Sequence, residues 1–275
     1  MDERAAMGYR WIRNRRDARP IALVISFFIY QLAVYLFADD WQHALLWIAI
    51  PHVVLNIPIA SAMHIAIHTP IFYRGKHDFL FGLLYALEIG ITRTCFRIDH
   101  LTHHRYFLEP EKDPNAWQSM GKVMGQAQYA LHNLVHLYPR SWRIACERSQ
   151  KVRREFIAEI VTCLVLLGVL TAYDPPKSVA VYGFCIVWGI AGTYYWSHHQ
   201  HAGLEPVNVF LACRTYLGKP YNWLAFNVGY HTAHHEKPGL HWSQLPARHE
   251  AIASRIPAQL MIRRIPARSR NYPVP

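Results

Sequence analysis

Acidic residues are scarce in this chain: 18 Asp and Glu stand against 29 Lys and Arg, a formal net charge of +11. Cysteine is scarcer still, and the five present (Cys95, Cys146, Cys163, Cys185 and Cys213) never form a CxxC pair. That scatter argues against a disulfide framework, a zinc ribbon or a fused iron–sulfur or rubredoxin-like module. No GxGxxG occurs in the 275 residues, so no reductase domain is read here and electrons for any redox step are expected from a partner. HExxH is missing too, which excludes the zinc-protease pattern. With 52% hydrophobic and 17% charged residues, the composition is not that of a disordered chain. The mean hydropathy of 0.00 averages very apolar stretches with very basic ones.

Pro20 to Ala38 runs 19 residues without a charge, long enough at about 1.5 Å per residue to cross a hydrocarbon layer of roughly 30 Å. It follows Arg4, Arg10, Arg13, Arg15, Arg16 and Arg19 and ends at Asp39-Asp40 with no small-residue cleavage site, so it reads as an uncleaved anchor with a cytoplasmic N-terminus. His43 to Met63 is a second expected span despite Pro51 and Pro58, because neighbouring helices re-satisfy the carbonyls that proline frees. Phe156 to Tyr173 and Ser178 to Trp196 form another antiparallel pair across the turn Asp174-Pro175-Pro176-Lys177. Arg140, Arg143, Arg148, Lys151, Arg153 and Arg154 lie between the two pairs, whereas the outer loops hold only Lys177. The positive-inside rule therefore agrees with four spans and puts both termini in the cytoplasm. Gly121–Arg140 and Val207–Tyr221 are expected as amphipathic helices at the membrane surface.

Histidine is the excess, with 18 in the chain. Three clusters stand out: His64 and His68 in HIAIH, His100, His103 and His104 in HLTHH, and His231, His234 and His235 in HTAHH. Residues at i, i+3 and i+4 share a helix face, so each cluster aims its imidazoles one way. A lone HxxxH is as often interface filler as ligand, but at this histidine frequency an HxxHH arises by chance only about 0.08 times per chain. Metal binding is the expectation. So many imidazoles exceed the needs of one tetrahedral ion, two ions fit better, and a nitrogen-rich shell without thiolate suits iron or copper.

The order HxxxH, then HxxHH with Asp113-Pro114 after it, then a late HxxHH with Asn227 before it and Pro238 after it, resembles the membrane fatty acid desaturase and hydroxylase superfamily. The likeness runs from about Ile59 to Pro246. It implies an all-α integral membrane protein, a single domain over residues 1–275, with four transmembrane helices and a cytoplasmic helical cap holding a di-metal site. The implied cofactors are two non-haem iron ions, with molecular oxygen as co-substrate. The implied ligands are His64, His68, His100, His103, His104, His231, His234 and His235, completed by His201 of WSHHQHAG, the best match to a further family histidine after the fourth span. His198 and His199 do not match clearly and read as interface residues or as partners of the ligands. The remaining histidines (His43, His52, His77, His132, His136, His241 and His249) read as structural or interfacial. Asn227, four residues before His231, either holds a metal-bound water, orients a ligand or caps the helix. Asp99, Asp113 and Glu236 flank the boxes and are candidates to accept the free N–H of a ligating imidazole.

Length leaves the apolar segment Phe79–Cys95, which carries Glu88 and Arg93, open to spanning and interfacial readings. A shared metal site decides between them. Were the segment to cross, the first box would lie about 30 Å from the second, so it is expected to dip and return or to lie in the interface. The reaction expected is oxygen-dependent desaturation of a fatty acyl chain, with alkyl or acyl hydroxylation as the alternative from the same hydrogen abstraction. A histidine-rich metal transporter is the reading from another class, but its ligands would belong near the bilayer midplane. Expected partners are a lipid or acyl substrate, the membrane, and a separate electron donor such as a ferredoxin or cytochrome. Nucleic acid is not expected. Arg248, Arg255, Arg263, Arg264, Arg268 and Arg270 near the C-terminus suit anionic headgroups, an acidic acyl carrier or plain inside-positive surface.

Overall fold

A computed structural model describes residues 11–109, 111–119, 122–204 and 207–263. Arg4, Arg10, Gly121, Arg264, Arg268 and Arg270, all invoked above, lie outside the described residues. Helix α1 (Ala18–Phe37) starts with Pro20 in its first turn, where a missing N–H costs nothing. Helix α2 (Trp41–His68) begins at Asp40, whose carboxylate accepts the His43 N–H at 2.9 Å, and it runs through Pro51 and Pro58 without ending. It continues past the expected limit at Met63, so the first histidine box rides on its final turns. The short link between α1 and α2 makes them antiparallel neighbours.

The segment Phe79–Cys95, expected to dip and return or to lie in the interface, falls across two helices, α3 (Gly75–Ile89) and α4 (Arg93–Tyr106), bent by 87°. The cause of the bend is local. Gly90 closes α3 in the left-handed conformation (φ 71°), an arrangement a side chain disfavours. A Cβ there would sit 2.8 Å from the Ile186 backbone. Thr92 then starts α4 by accepting the Cys95 N–H.

Helix α5 (Gln126–Cys146) is the first expected amphipathic helix, displaced toward the C-terminus because Gly125 precedes it and a small hairpin of β1 (Gln118–Ser119) and β2 (Lys122–Val123) occupies the residues before that. Helix α6 (Gln150–Tyr173) and the continuous rod α7 (Pro175–His201), which includes a π-helical stretch at Val179–Gly183, form the second long pair. Asp174 caps the start of α7 by accepting the Lys177 N–H at 3.1 Å. Among the described residues four helices are thus long and apolar enough to cross a membrane, Arg15–Phe37 (α1 with its leading turn), α2, α6 and α7, and the bent pair α3–α4 would make a fifth if it acts as one span.

The second expected amphipathic helix, Val207–Tyr221, is not a helix. Turns around Asn208 lead to β3 (Thr215–Tyr216), which pairs in parallel with β4 (Met261–Ile262), and only a short α8 (Lys219–Leu224) follows Gly218. Thr215 is buried, its hydroxyl 2.8 Å from that of Thr232, so the segment serves as a floor beneath α9 (His231–Glu236). Helix α10 (Leu245–Ile252) packs against α9. Arg19, from the start of α1, lies over the rings of Trp223, Phe226 and Trp242 and ties these C-terminal elements to the bundle.

Candidate metal centre

Four elements deliver the histidines to one place: the end of α2 (His64 and His68), α4 (His100, His103 and His104), the last residue of α7 (His201) and α9 (His231, His234 and His235). Helical spacing turns His100, His103 and His104 to one side of α4 and leaves Thr102 and Arg105 on the other. One ligand atom from each of His64, His68, His100, His104 and His234 lies within 4.8 Å of all the others in that group, and the same holds for His103, His201 and His235. His231 joins the second group, its Nε2 lying 2.9 Å from Nε2 of His201. The groups are contiguous, the His104 and His235 rings having centroids 4.3 Å apart. All nine histidines picked out by motif and resemblance come together.

The residues suit a pair of ions by three observations. First, the Nε2 atoms of His64 and His234, of His234 and His104, and of His104 and His100 are 2.9, 3.0 and 2.9 Å apart. Two nitrogens bound at a right angle, each about 2.1 Å from a common ion, are about 3.0 Å apart. Second, Nε2 of His68 and Nε2 of His235 are buried without a hydrogen-bond partner, a costly state for a polar atom with no other role. Third, burial holds the pKa values of His231, His234 and His235 well below the ordinary imidazole value, keeping them neutral with a lone pair to donate.

Two of the nine are oriented from behind. His103 Nδ1 donates to Asp113 Oδ2 at 2.7 Å, and Asp113 also accepts the N–H groups of Leu108 and Asn115. Burial works against the Asp113 carboxylate, yet His103 and these N–H donors hold its pKa below the ordinary value. His201 Nδ1 lies 2.9 Å from the Ala212 carbonyl, a partner that sequence could not indicate. The part expected of Asp99 and Glu236 is not borne out. Asp99 is fully buried and engaged by Arg140, Asn115 and the Tyr194 hydroxyl, while Glu236 pairs with Arg248. Nor is Asn227 on the helical face of His231. It sits in the turn before α9 at φ 61°, its amide donating to the Trp242 carbonyl at 3.3 Å. His198 and His199 are buried at the packed contact of α7 with α5, near the Met124 carbonyl and the Gln126 amide, outside both histidine groups.

A cavity of about 90 Å³ opens onto His64, His100, His103, His201 and His231. Its remaining wall includes Ile57, Ala60, Phe96 and Tyr194. The cavity offers room for a short length of methylene chain beside the imidazoles. Of the C-terminal arginines, Arg248 serves Glu236 and Arg255 lies 3.8 Å over the Phe210 ring.

Curated proteins of related sequence include sphingolipid desaturases. The sphingolipid delta(4)-desaturase of Drosophila melanogaster is 26% identical over 205 residues, covering 70% of this chain and 61% of its own length. The sphingolipid delta(4)-desaturase/C4-monooxygenase of Mus musculus is 26% identical over 225 residues, 75% of this chain and 65% of its own. The delta(4)-desaturase of Rattus norvegicus is 27% identical over 256 residues, 84% and 73% respectively. This chain therefore spans about three-fifths to three-quarters of the length of these curated relatives. The family model for fatty acid desaturase matches residues 39–266, from the start of α2 to beyond β4, and the chain belongs to that family.

Proposed function

We propose that the chain, acting as one membrane-bound unit, is an oxidoreductase that desaturates the hydrocarbon chain of a lipid at a di-iron centre, with oxygen as oxidant. The observation that carries this reading is the convergence of nine imidazoles, all nitrogen donors, beside a cavity walled partly by apolar side chains. The proposed ligands are His64, His68, His100, His104 and His234 for one ion and His103, His201, His231 and His235 for the other. Bound iron would supply the power, drawn from oxygen, to oxidise an unactivated C–H bond.

The protein's part is positioning. Phe96, Ile57 and Ala60 form an apolar lining for a methylene segment next to the imidazoles, and holding it there makes one carbon the reacting one. Asp113 and the Ala212 carbonyl fix the tautomer and direction of His103 and His201, so that Nε2 of each faces inward. Asn227 acts through the turn that it holds ahead of α9 or through a water bound there. Following the inside-positive distribution of charge, the metal centre and both termini lie on the cytoplasmic side. Electrons come from a separate ferredoxin- or cytochrome-type carrier.

Hydroxylation is the second reading. Two of the relatives above carry the desaturase name alone and the third bears the double name of desaturase and C4-monooxygenase, and both outcomes begin with loss of the same hydrogen. Expression in a bacterial host followed by mass-spectrometric profiling of lipids and free fatty acids tests the proposal. New double bonds support desaturation and new hydroxyl groups the alternative. An unchanged profile in cells whose purified protein carries about two irons per chain would sink both, and zinc in place of iron would favour metal transport.

A further inference from the structure

The back of α4 faces a second concavity. Thr102 and Arg105, turned away from the histidine side, line a cleft of about 450 Å³ with Lys112 and, from the last turns of α5 and the residues after it, Arg140, Arg143 and Arg148. Glu111 and Glu147 are the acids in its wall. Arg140 is committed to Asp99 and Lys112 to Glu109. Among the described residues no carboxylate lies within ion-pair distance of Arg105, Arg143 or Arg148, and all three are exposed. Three unneutralised guanidinium groups around one concavity attract and orient an anionic partner.

We propose that this cleft is the docking site of an acidic one-electron carrier protein. The inference rests on the proposed oxygen-dependent chemistry, in which electrons come from a separate carrier. Two features favour a carrier over the polar end of the substrate. The cleft and the cavity at the imidazoles have no lining residue in common; between them stands Asp99, held by Arg140 from one side and by Tyr194 from the other. A substrate headgroup in the cleft would therefore be walled off from its own chain. Yet the cleft adjoins the metal centre through one helix, since Arg105 follows His104 directly and Thr102 precedes His103. A docked carrier is thus separated from the imidazoles by about the 10 Å width of α4, while the substrate cavity stays unobstructed.

The electron count closes. Forming one double bond releases two electrons and two protons from the lipid. Two reduced carriers, docking in turn, each give up one electron and leave oxidised. With two solvent protons these four electrons reduce one oxygen molecule to two waters.

The test is binding of the purified full-length protein to an immobilised, acidic plant-type [2Fe–2S] ferredoxin at about 0.05 M and about 0.5 M salt, where screening lengths differ several-fold. Unaltered protein should bind at least about tenfold more weakly at the higher salt. The double variant Arg143→Glu/Arg148→Glu should raise the low-salt Kd by about tenfold or more and lose most of the salt dependence, with an unchanged melting temperature. Arg143→Lys/Arg148→Lys should keep both, and Arg255→Glu, away from the cleft, should not alter Kd. An equal Kd for the folded Glu/Glu variant overturns the proposal. So does a variant that keeps ferredoxin binding while losing affinity for vesicles of anionic phospholipid, which would make the cleft a headgroup site. Because binding is read without iron or product, failure here is distinct from failure of the desaturase reading, which lipid profiling reports.

Discussion

Helices α6 and α7 follow one another across a single-residue turn, and both are long and apolar enough to cross a membrane, but they do different work. In α7 half of the most apolar window is buried, against 17% in α6. Val161, Leu164, Val165 and Val169 of α6 face outward, suited to lipid contact. The buried helix is built from small residues where it meets its neighbours: Gly189 packs against the backbone of Ile89 so closely that a Cβ would lie 2.4 Å from its Cα. Such close approach of backbones is the common solution where the surrounding lipid gives no hydrophobic drive to associate. Apolar length signals that a helix can cross; the distribution of glycine and polar residues marks the one that carries the site.

The sharpest way to exploit this contrast is at the histidines. His103→Ala or His234→Ala should abolish product formation and lower bound iron, measured by metal analysis of purified protein, because each removes a proposed ligand; His132→Ala/His136→Ala on α5 should leave both near normal. Full iron and turnover in the two ligand variants would refute the assignment. Next in size, Asp113→Asn should weaken iron retention against a chelator by about 10- to 100-fold while the helix content stays constant. The two glycines compare the helices directly. Gly189→Ala should destabilise the fold by about 1–3 kcal/mol, visible as a lower melting temperature in detergent. Gly168→Ala in α6, where nothing lies within 4 Å, should be neutral or stabilising by up to about 1 kcal/mol. An equal loss at both sites would erase the distinction drawn between α6 and α7.

The smallest effect concerns acidity. Burial depresses the pKa values of His231, His234 and His235 in the folded chain, so on acidification the unfolded chain takes up protons first, below about pH 6.5. Stability of the metal-free protein should therefore be level above that pH and fall beneath it in denaturant titrations. A rise on acidification would contradict the burial of these rings.

The four spans and the histidine set were legible in the sequence because both depend on local repetition, apolar length in one case and helical spacing in the other. The position of the bend, at Gly90, was not, since hydropathy averages across a left-handed glycine. Val207–Tyr221 misled for a related reason: its alternation of apolar and polar residues comes from a buried strand and a turn, and the strand's partner lies far along the chain at Met261–Ile262. Asp99 and Glu236 adjoin box histidines in sequence but answer to Arg140 and Arg248, and no spacing rule identifies those pairings in advance. Asp113 was legible as a candidate and is the one of the three acids that meets a box imidazole.

The hinge between α3 and α4 sets a phase. Helix α4 starts at a fixed point, the Thr92 cap after Gly90, and the second box begins eight residues later, so the compass bearing of three imidazoles is counted from that corner. Each residue added or removed between Thr92 and His100 would swing the box by about 100°. One such step would turn the three imidazoles a little more than a quarter-circle away from the other histidines. A substitution in this largely buried stretch disturbs packing at one point, whereas an insertion would turn all three imidazoles at once: its length keeps the second box in register with the first and third.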